Sequence, residues 1–250
     1  MFGSGLITFM PKYLGSKLSC WFDASNPSNN GTRHANSTAI SSWVDVSGNA
    51  ANAAQATGAE QPIYTLNTQN GLPSMRSSGS SQDMTVASNS NLNMQSGIAV
   101  IIVCNTTTRA ASNIPMRYGV FAPDGNTWDW ALEITASTGL VSFSGINTSN
   151  AKQSSGNSTT NVYGNARIIM GQYDGTNLKI FINNTQENST AKSGTLKSGT
   201  NNTLSLMWGP GGNQWLGDMF EMMVIQGAST AELNLLHRNY LSPKWGIAVA

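Results

Sequence analysis

Charged side chains are scarce in this chain of 250 residues, of which only 10% are Asp, Glu, Lys or Arg. The 13 basic residues nearly balance the 12 acidic ones, so the formal net charge is +1. Such a chain has no field that would attract a polyanion, and we therefore expect no nucleic-acid partner. The low charge does not indicate disorder, because 39% of the residues are apolar and seven of them are Trp. We expect a folded protein whose surface is neutral and polar.

Long apolar segments and cysteines are also lacking. The longest apolar run, residues 98–104, is far shorter than the roughly 20 residues of a membrane-spanning helix, so we expect no membrane insertion. The apolar stretch at residues 5–10 is short and Pro11 follows it, which argues against a cleaved signal peptide. Cys20 and Cys104 lie in apolar runs, where a thiol packs like a small hydrophobic side chain. We predict that both cysteines are free and buried.

Apolar runs separated by turn residues make up most of the chain. Residues 97–106 form a continuous apolar run rich in Ile and Val, which is typical of a strand covered on both faces. Residues 167–183 indicate two strands joined by Asp174 and Gly175, which tolerate the positive φ of a tight hairpin. About a dozen such strands predict an all-β fold, a two-sheet antiparallel jelly-roll β-sandwich with one short C-terminal helix.

That helix is predicted near the C-terminus. Ser229 and Glu232 have the spacing of a capping box, in which each side chain accepts a hydrogen bond from the other residue's backbone amide. Pro243 is expected to end the helix. The apolar positions at three- and four-residue spacing, which would lie on one face, are Leu233, Leu236, Tyr240 and Leu241.

Short motifs spread along the chain carry a resemblance to one fold family. They are, in chain order, Leu18-Ser19-Cys20-Trp21-Phe22-Asp23, Trp43-Val44-Asp45-Val46-Ser47-Gly48-Asn49, Asn70-Gly71-Leu72-Pro73-Ser74-Met75-Arg76, Tyr173-Asp174-Gly175 with Ile182-Asn183-Asn184, Gly217-Asp218-Met219-Phe220-Glu221, and Lys244-Trp245-Gly246-Ile247. The set resembles the laminin G-like domains of the concanavalin A-like lectin and glucanase superfamily, of the kind found in bacteriophage virion proteins. Asn184 departs from the pattern, since this family usually has Gly there. The resemblance implies a jelly-roll domain of residues 16–250, preceded by an N-terminal arm of residues 1–15.

The resemblance is much less specific for function than for fold, since the fold hosts lectins, glycosidases, adhesion modules and inert structural domains. The family's usual context makes the main expectation a non-enzymatic bacteriophage virion protein that decorates the capsid or is attached to the tail or its fibres. Such a protein would be made in the host cytoplasm without a signal peptide, would dock onto other virion proteins, and would form homo-oligomers or multivalent arrays. Because the fold also hosts lectins, the alternative is a carbohydrate-binding adhesin that recognises a glycan on the host surface.

The residues that a glycoside hydrolase of this superfamily would use are missing. A retaining enzyme needs two carboxylates about 5–5.5 Å apart, and the related glucanases carry them on one strand as Glu-x-Asp-x-x-Glu. This motif does not occur here, and Asp218 and Glu221 would point to opposite faces of a regular strand. His34 and His237 are too few and too distant for a metal cluster or a triad. We expect His237 to be solvent-facing or hydrogen-bonded on the helix, and we predict no enzymatic activity.

One segment has the composition of a binding site. Residues 124–130 combine side-chain oxygens with two indoles. Indole rings stack on sugars, and side-chain oxygens hold calcium ions, so calcium is the candidate cofactor. Two other interpretations stay open for this segment: a turn that its tryptophans anchor to the core, and a contact in an assembly. The candidate ligand-binding residues are Asp124, Asn126, Trp128, Asp129 and Trp130.

Overall fold

A computed structural model of the protein shows a β-sandwich of two eight-stranded sheets. The structure describes residues 10–79, 81–108, 113–119, 128–192, 194–197, 199, 202–207 and 215–250. The strands are β1 Leu18–Asp23, β2 Ser42–Trp43, β3 Ala53–Ala54, β4 Ile63–Gln69, β5 Leu72–Ser78, β6 Met84–Val86, β7 Ile98–Thr106, β8 Asn113–Gly119, β9 Trp128–Ile134, β10 Val141–Ile146, β11 Lys152–Ser154, β12 Arg167–Tyr173, β13 Asn177–Ile182, β14 Thr185–Ala191, β15 Thr203–Leu206 and β16 Leu216–Gln226. Short 3₁₀ helices cover Pro11–Lys17, Gly58–Glu60 and Ser90–Leu92.

The strand order confirms the predicted antiparallel sandwich. Sheet A runs β14-β13-β12-β7-β16-β5-β4, and β1 pairs with the second half of β16. Sheet B runs β11-β10-β9-β8-β15-β6-β3-β2. The strand pairs of both sheets are antiparallel, and neighbours in a sheet are often distant in sequence, which is the pattern of a jelly roll.

Strand β7 is buried on both faces, as its continuous apolar sequence predicts. Val100, Ile102 and Cys104 belong to the core between the two sheets. Ile101 and Val103 belong to a second core, between the outer face of sheet A and the C-terminal helix. Cys20 and Cys104 are free and buried, as predicted.

The C-terminal helix closes the second core, and it is longer than predicted. Its successive segments are the α-helix α1 Thr230–Leu236, a π-helical turn His237–Leu241 and the α-helix α2 Ser242–Trp245. The capping box between Ser229 and Glu232 is present, which confirms the predicted start. The predicted end at Pro243 is wrong. Proline lies in the first turn of α2, just after the π-helical turn has changed the hydrogen-bond register, so its missing N–H is tolerated.

The hairpin of residues 167–183 is confirmed, and a second tight turn follows it. Asp174 accepts hydrogen bonds from the backbone amides of Thr176 and Asn177, which shapes the turn between β12 and β13. Between β13 and β14, Asn183 and Asn184 adopt positive φ values of 49° and 68°, a conformation that Asn tolerates.

Asn184, the residue that departs from the family pattern, holds the C-terminal segment. Its Oδ1 lies 2.9 Å from Nδ1 of His237, and its Nδ2 donates to the carbonyl of Ala250 at 3.1 Å. His237 is therefore hydrogen-bonded and buried, so the solvent-facing interpretation is wrong. Burial lowers the pKa of His237 to about 4.

The motif around Asp45 stabilises a loop. The carboxylate accepts hydrogen bonds from the backbone amides of Trp21 and Ser47, both at 2.9 Å, and from Ala51 at 3.1 Å. The amide of Asn49 donates to the carbonyl of Leu18 at 2.7 Å. The motif therefore fixes the loop against strand β1, and its carboxylate is used within the fold.

Glu221 is a fully buried carboxylate beneath the C-terminal helix. Its Oε1 accepts from Nε1 of Trp21 at 2.6 Å and from the hydroxyl of Tyr240 at 2.9 Å. Its Oε2 accepts from Nε1 of Trp245 at 2.6 Å and from Nζ of Lys244 at 3.0 Å. Burial raises the pKa of Glu221, and Lys244 opposes that shift. Four donors use the acceptor sites of a carboxylate, so these residues form a satisfied polar network inside the second core.

The expected placement of Asp218 and Glu221 on opposite faces is wrong. A register shift between Met219 and Glu221 in the pairing of β16 with β7 adds one residue to β16. Both acidic side chains therefore lie on the outer face of sheet A. Asp218 is paired there with Arg76 at 2.8 Å, while Glu221 is paired with Lys244. The two carboxylates stabilise the fold through separate cations.

The N-terminal segment contributes to the same layer. Of residues 1–15, the structure describes 10–15, where the 3₁₀ helix buries Pro11 and Leu14, and Leu14 packs in the second core. Lys17, at the end of that helix, bonds both carboxylate oxygens of Glu232 at 2.6 and 2.8 Å. No helix in the described part of the chain is long and apolar enough to cross a membrane.

Candidate functional site

The first part of the predicted binding segment lies outside the described residues. Asp124 and Asn126 lie there, so their place as ligand-binding residues stays a prediction. Strand β9 carries the other three candidates, and its pairing with β8 is irregular. Tyr118 pairs with Trp130 and Gly119 with Trp128, which makes Asp129 the extra residue of a β-bulge.

The bulge sends the two candidate indoles to different places. Trp130 is fully buried between the sheets, stacked on Tyr118 at 5.8 Å between ring centroids and tilted against Phe143. Trp128 packs on Ile114 and Ala131 in a separate cluster, and Nζ of Lys152 lies 4.9 Å from the centre of its ring. The two rings therefore do not form a shared platform on which a sugar could stack.

Asp129, between the two indoles, connects β9 to the segment that leads into β15. Its carboxylate accepts hydrogen bonds from the side-chain amide of Asn202 and from the backbone amide of Gly199, the latter at 3.2 Å. Burial raises the pKa of Asp129 to about 6, although the bond from Gly199, the charge of Lys197 and the bond from Asn202 lower it. The carboxylate thus holds Gly199 in place at one end of the sandwich.

Gly199 lines a cleft of about 270 Å³ at that end, where two connections cross between the sheets. One connection joins β6 of sheet B to β7 of sheet A, and the other leads from β14 of sheet A to β15 of sheet B. Tyr118 also lines the cleft, and its ring is held by the stack on Trp130. We call this cavity the end cleft, and its lining residues are Ser88, Asn89, Ser90, Asn93, Tyr118 and Gly199.

The side chains of the end cleft are neutral and rich in hydrogen-bonding groups. Asn89 is held by the fold, because its Oδ1 caps the 3₁₀ helix through the amide of Asn91 at 2.9 Å and its Nδ2 donates to Asn49. Burial raises the pKa of Tyr118 to about 12, so its phenol is protonated at neutral pH. The described lining contains no carboxylate, and hydroxyl and amide groups can both donate and accept hydrogen bonds. The cleft is therefore suited to binding a neutral ligand rich in hydroxyl groups.

Calcium binding at the predicted segment stays a prediction, because two of its proposed ligands are not described. Asp129, the acidic candidate that is described, uses one oxygen to bind Asn202 and Gly199. Within the described ranges, no group of three or more His, Cys, Asp or Glu side chains is arranged to hold a metal ion.

Sequence reasoning located this region through Asp129 and Trp130 and missed the residues that line the cleft. Ser88, Asn89, Ser90 and Asn93 belong to a polar loop whose composition is like that of many other loops in this chain. Tyr118 has the pattern of a core residue. No local signal distinguishes these residues, because the chain crossings of the sandwich bring them together.

Asp129 should make stability depend on pH. A carboxyl group whose pKa is raised by folding binds a proton more tightly in the folded state, so its stabilising contribution is present at low pH and is lost as pH rises through about 6. Asp129→Asn keeps an oxygen for Gly199 and Asn202 but cannot ionise. We expect the melting temperature of Asp129→Asn, relative to the wild type, to be higher at pH 8 than at pH 4.

Thermal unfolding measured between pH 4 and 8 tests this expectation. Glu133→Gln is the control, because Glu133 forms a partly exposed ion pair with Lys152. An Asp129→Asn difference that stays constant across the range would show that the carboxyl group does not titrate as proposed.

Solved structures of low sequence identity share the β-sandwich fold of this chain. The binding domain of Paraclostridial Mosquitocidal Protein 1 is 11% identical, with a TM-score of 0.65 over 91% of this chain and 53% of that one. The botulinum neurotoxin serotype D ligand binding domain, in complex with N-acetylneuraminic acid, is 13% identical, with a TM-score of 0.60 over 90% and 52%. This chain thus spans about half the length of the two toxin chains.

A third structure is matched over nearly its full length. Domain 4 of AbnA, a GH43 extracellular arabinanase from Geobacillus stearothermophilus, in complex with arabinotriose, is 14% identical, with a TM-score of 0.59 over 88% of this chain and 98% of that one. No family model and no curated protein matches this chain. At these identities, the similarity establishes the fold, and the toxin structures are binding domains.

Proposed function

We propose that this protein is a non-catalytic carbohydrate-binding domain and that the end cleft is its sugar site. The observation that carries the proposal is the chemistry of the cleft, which combines hydroxyl groups, amide groups and one phenol without a charged side chain in the described lining. Sugar hydroxyls each donate and accept hydrogen bonds, so they match such a lining, and no carboxylate pair is present in it to cleave a glycosidic bond.

The cleft is also held in shape before a ligand arrives. Tyr118 is fixed by its stack on Trp130, Asn89 by its cap on the 3₁₀ helix, and Gly199 by the carboxylate of Asp129. A pre-organised site loses less conformational entropy on binding, which increases affinity for a small ligand.

Two of the similar structures support the same class of ligand. The serotype D neurotoxin domain was solved with N-acetylneuraminic acid, and the arabinanase domain with arabinotriose. These sugars differ in charge and ring size. They therefore support carbohydrate binding as a class and do not indicate which glycan this protein would bind.

A glycan array followed by calorimetric titration tests the proposal, with N-acetylneuraminic acid and arabinotriose as the first soluble probes. Ser90→Trp should fill the end cleft and abolish binding to every glycan that the wild-type protein binds on the array. Tyr118→Phe, which keeps the ring stack and removes one hydroxyl, should weaken binding by about three- to tenfold.

Ser149→Trp is the matched control, because Ser149 is an exposed serine in the turn between β10 and β11. It should leave binding unchanged. The absence of binding to every glycan tested, or binding that survives Ser90→Trp, would refute the end cleft as a sugar site.

A second candidate function is docking onto a larger assembly, as the virion interpretation predicts. Met10 and Tyr13, within the predicted N-terminal arm, are two of the large apolar side chains that the structure exposes, and 64% of Tyr13 is accessible. Exposed apolar side chains are common in contact surfaces. Detection of the protein on the capsid or tail of purified particles would support this role, and its absence from them would refute it.

A further inference from the structure

A second cavity, of about 290 Å³, lies on the outer face of sheet A, beside the start of the C-terminal helix. Gln172 and Tyr173, at the end of β12, and Asp174, in the turn that follows, form one side of it. The other side is formed by residues 227–230 together with Lys17 and Glu232. Gly97 lines the cavity where the β6–β7 connection reaches β7. That connection also carries Ser88 to Asn93 of the end cleft, so both cavities lie at the same end of the sandwich.

Gln172 occupies a position that the strand otherwise gives to apolar side chains. On β12, Ile168 and Met170 point into the second core, and Gln172 follows them in the same alternation. It is only 3% exposed, and its side-chain oxygen has no hydrogen-bond partner among the described residues. An unsatisfied buried amide costs stability, so this residue calls for an explanation beyond packing.

The charged groups beside the cavity are already paired. Asp174 bonds Lys179 at 2.6 Å, and Glu232 bonds Lys17 at 2.6 Å. Two lysines and two carboxylates leave no excess charge at the rim. A charged ligand would have to disrupt one of these pairs, whereas a neutral ligand would leave both in place.

We propose that this cavity binds one ring of a neutral, hydroxyl-rich ligand such as a single sugar unit, and that the terminal amide of Gln172, whose oxygen is buried in the structure, turns toward the cavity so that a ligand hydroxyl can donate to it. The site relies on the proposed function only for the chemical class of its ligand. The volume suits a small ligand, since it lies near the lower end of the range for ligand pockets. The ion pairs at the rim present further donors and acceptors to the remaining hydroxyls.

Two-dimensional ¹H–¹⁵N NMR tests the proposal on the full chain. The probes are D-galactose and L-arabinose, which are neutral, and N-acetylneuraminic acid, which is anionic. A neutral sugar should shift the side-chain amide resonances of Gln172 in a saturable way at millimolar concentration. N-acetylneuraminic acid should shift them at least tenfold more weakly, because its charge does not match the balanced rim.

Two variants examine the site. Gln172→Leu has a similar size and removes the acceptor, so it should abolish the saturable shifts of the surrounding amides and leave the melting temperature unchanged or higher. Thr230→Trp, on the exposed rim, should block the entrance without touching Gln172. Gln186→Leu, at an exposed position of β14, is the matched control and should change nothing.

The inference would be overturned if neither neutral sugar shifts the Gln172 resonances at 100 mM. It would also be overturned if Gln172→Leu binds the sugar as the wild type does. If Gln172→Leu does not fold, unchanged binding in Thr230→Trp would overturn it instead. Ser90→Trp separates this inference from the proposed function, because it fills the end cleft alone. Shifts at Gln172 that persist in Ser90→Trp, together with a lack of wild-type binding at the end cleft, would retain the second site and refute the first.

Discussion

Glu221→Gln should lower the free energy of unfolding by about 2–4 kcal/mol, because two buried donors would lose their acceptor while Lys244 keeps its ion pair with Asp23 at 2.7 Å. The carboxylate accepts hydrogen bonds from Trp21, Tyr240, Trp245 and Lys244. A glutamine amide would place an NH₂ group against two of these donors and would remove a negative charge next to Lys244. For a chain of this size, the expected fall in melting temperature is on the order of 10 °C.

Chemical denaturation monitored by tryptophan fluorescence measures this effect. Trp21 and Trp245 both bond the carboxylate, so their emission should also report the loss of the network. Glu133→Gln, which breaks a partly exposed ion pair with Lys152, should change the free energy of unfolding by less than about 1 kcal/mol. Equal effects for the two variants would contradict the importance that we assign to the buried network.

Gly217→Ala is expected to destabilise the protein by about 2–4 kcal/mol. Gly217 has a φ of 139°, which residues with a side chain rarely adopt. A Cβ atom there would lie 2.2 Å from the carbonyl oxygen of Asn105 and 2.8 Å from the Cα atom of Thr106. Both are backbone atoms of β7, so the alanine could be accommodated only if the central strands of sheet A moved apart.

Gly58→Ala provides the control for Gly217→Ala. A Cβ atom on Gly58 would meet no atom within 4 Å, so its melting temperature should stay close to that of the wild type. Thermal unfolding of the two variants side by side measures the difference. A Gly217→Ala protein as stable as Gly58→Ala would show that the β16–β7 pair tolerates a side chain at this point.

Like Glu221, two other carboxylates in the family-like motifs are used by the fold. Glu221 is used by the fold, Asp218 is held by Arg76 and Ser74, and Asp45 is held by backbone amides. Each of these acids lies in a motif that resembles the laminin G-like domains. The resemblance therefore traces groups that stabilise the sandwich, which is why it predicts the fold better than the function.

Local signals were sufficient where the interaction partners are close in sequence. The capping box joins residues 229 and 232, and the turn of Asp174 is shaped by amides two and three residues later, so both could be predicted. The bulge at Asp129 could not, because it depends on how β9 pairs with β8. The course of the helix through Pro243 likewise depends on the preceding π-helical turn.

The sequence by itself determined the all-β class, the buried central strand, the hairpin and the start of the C-terminal helix, because apolar periodicity and turn chemistry act over a few residues. It also determined how few charges are present. Only the tertiary structure decided where those charges lie, since partners such as Glu221 and Trp21 are 200 residues apart. For the same reason it decided the binding candidates: the end cleft and the cavity beside Gln172 are made by strands and crossings that meet only once the two sheets have packed.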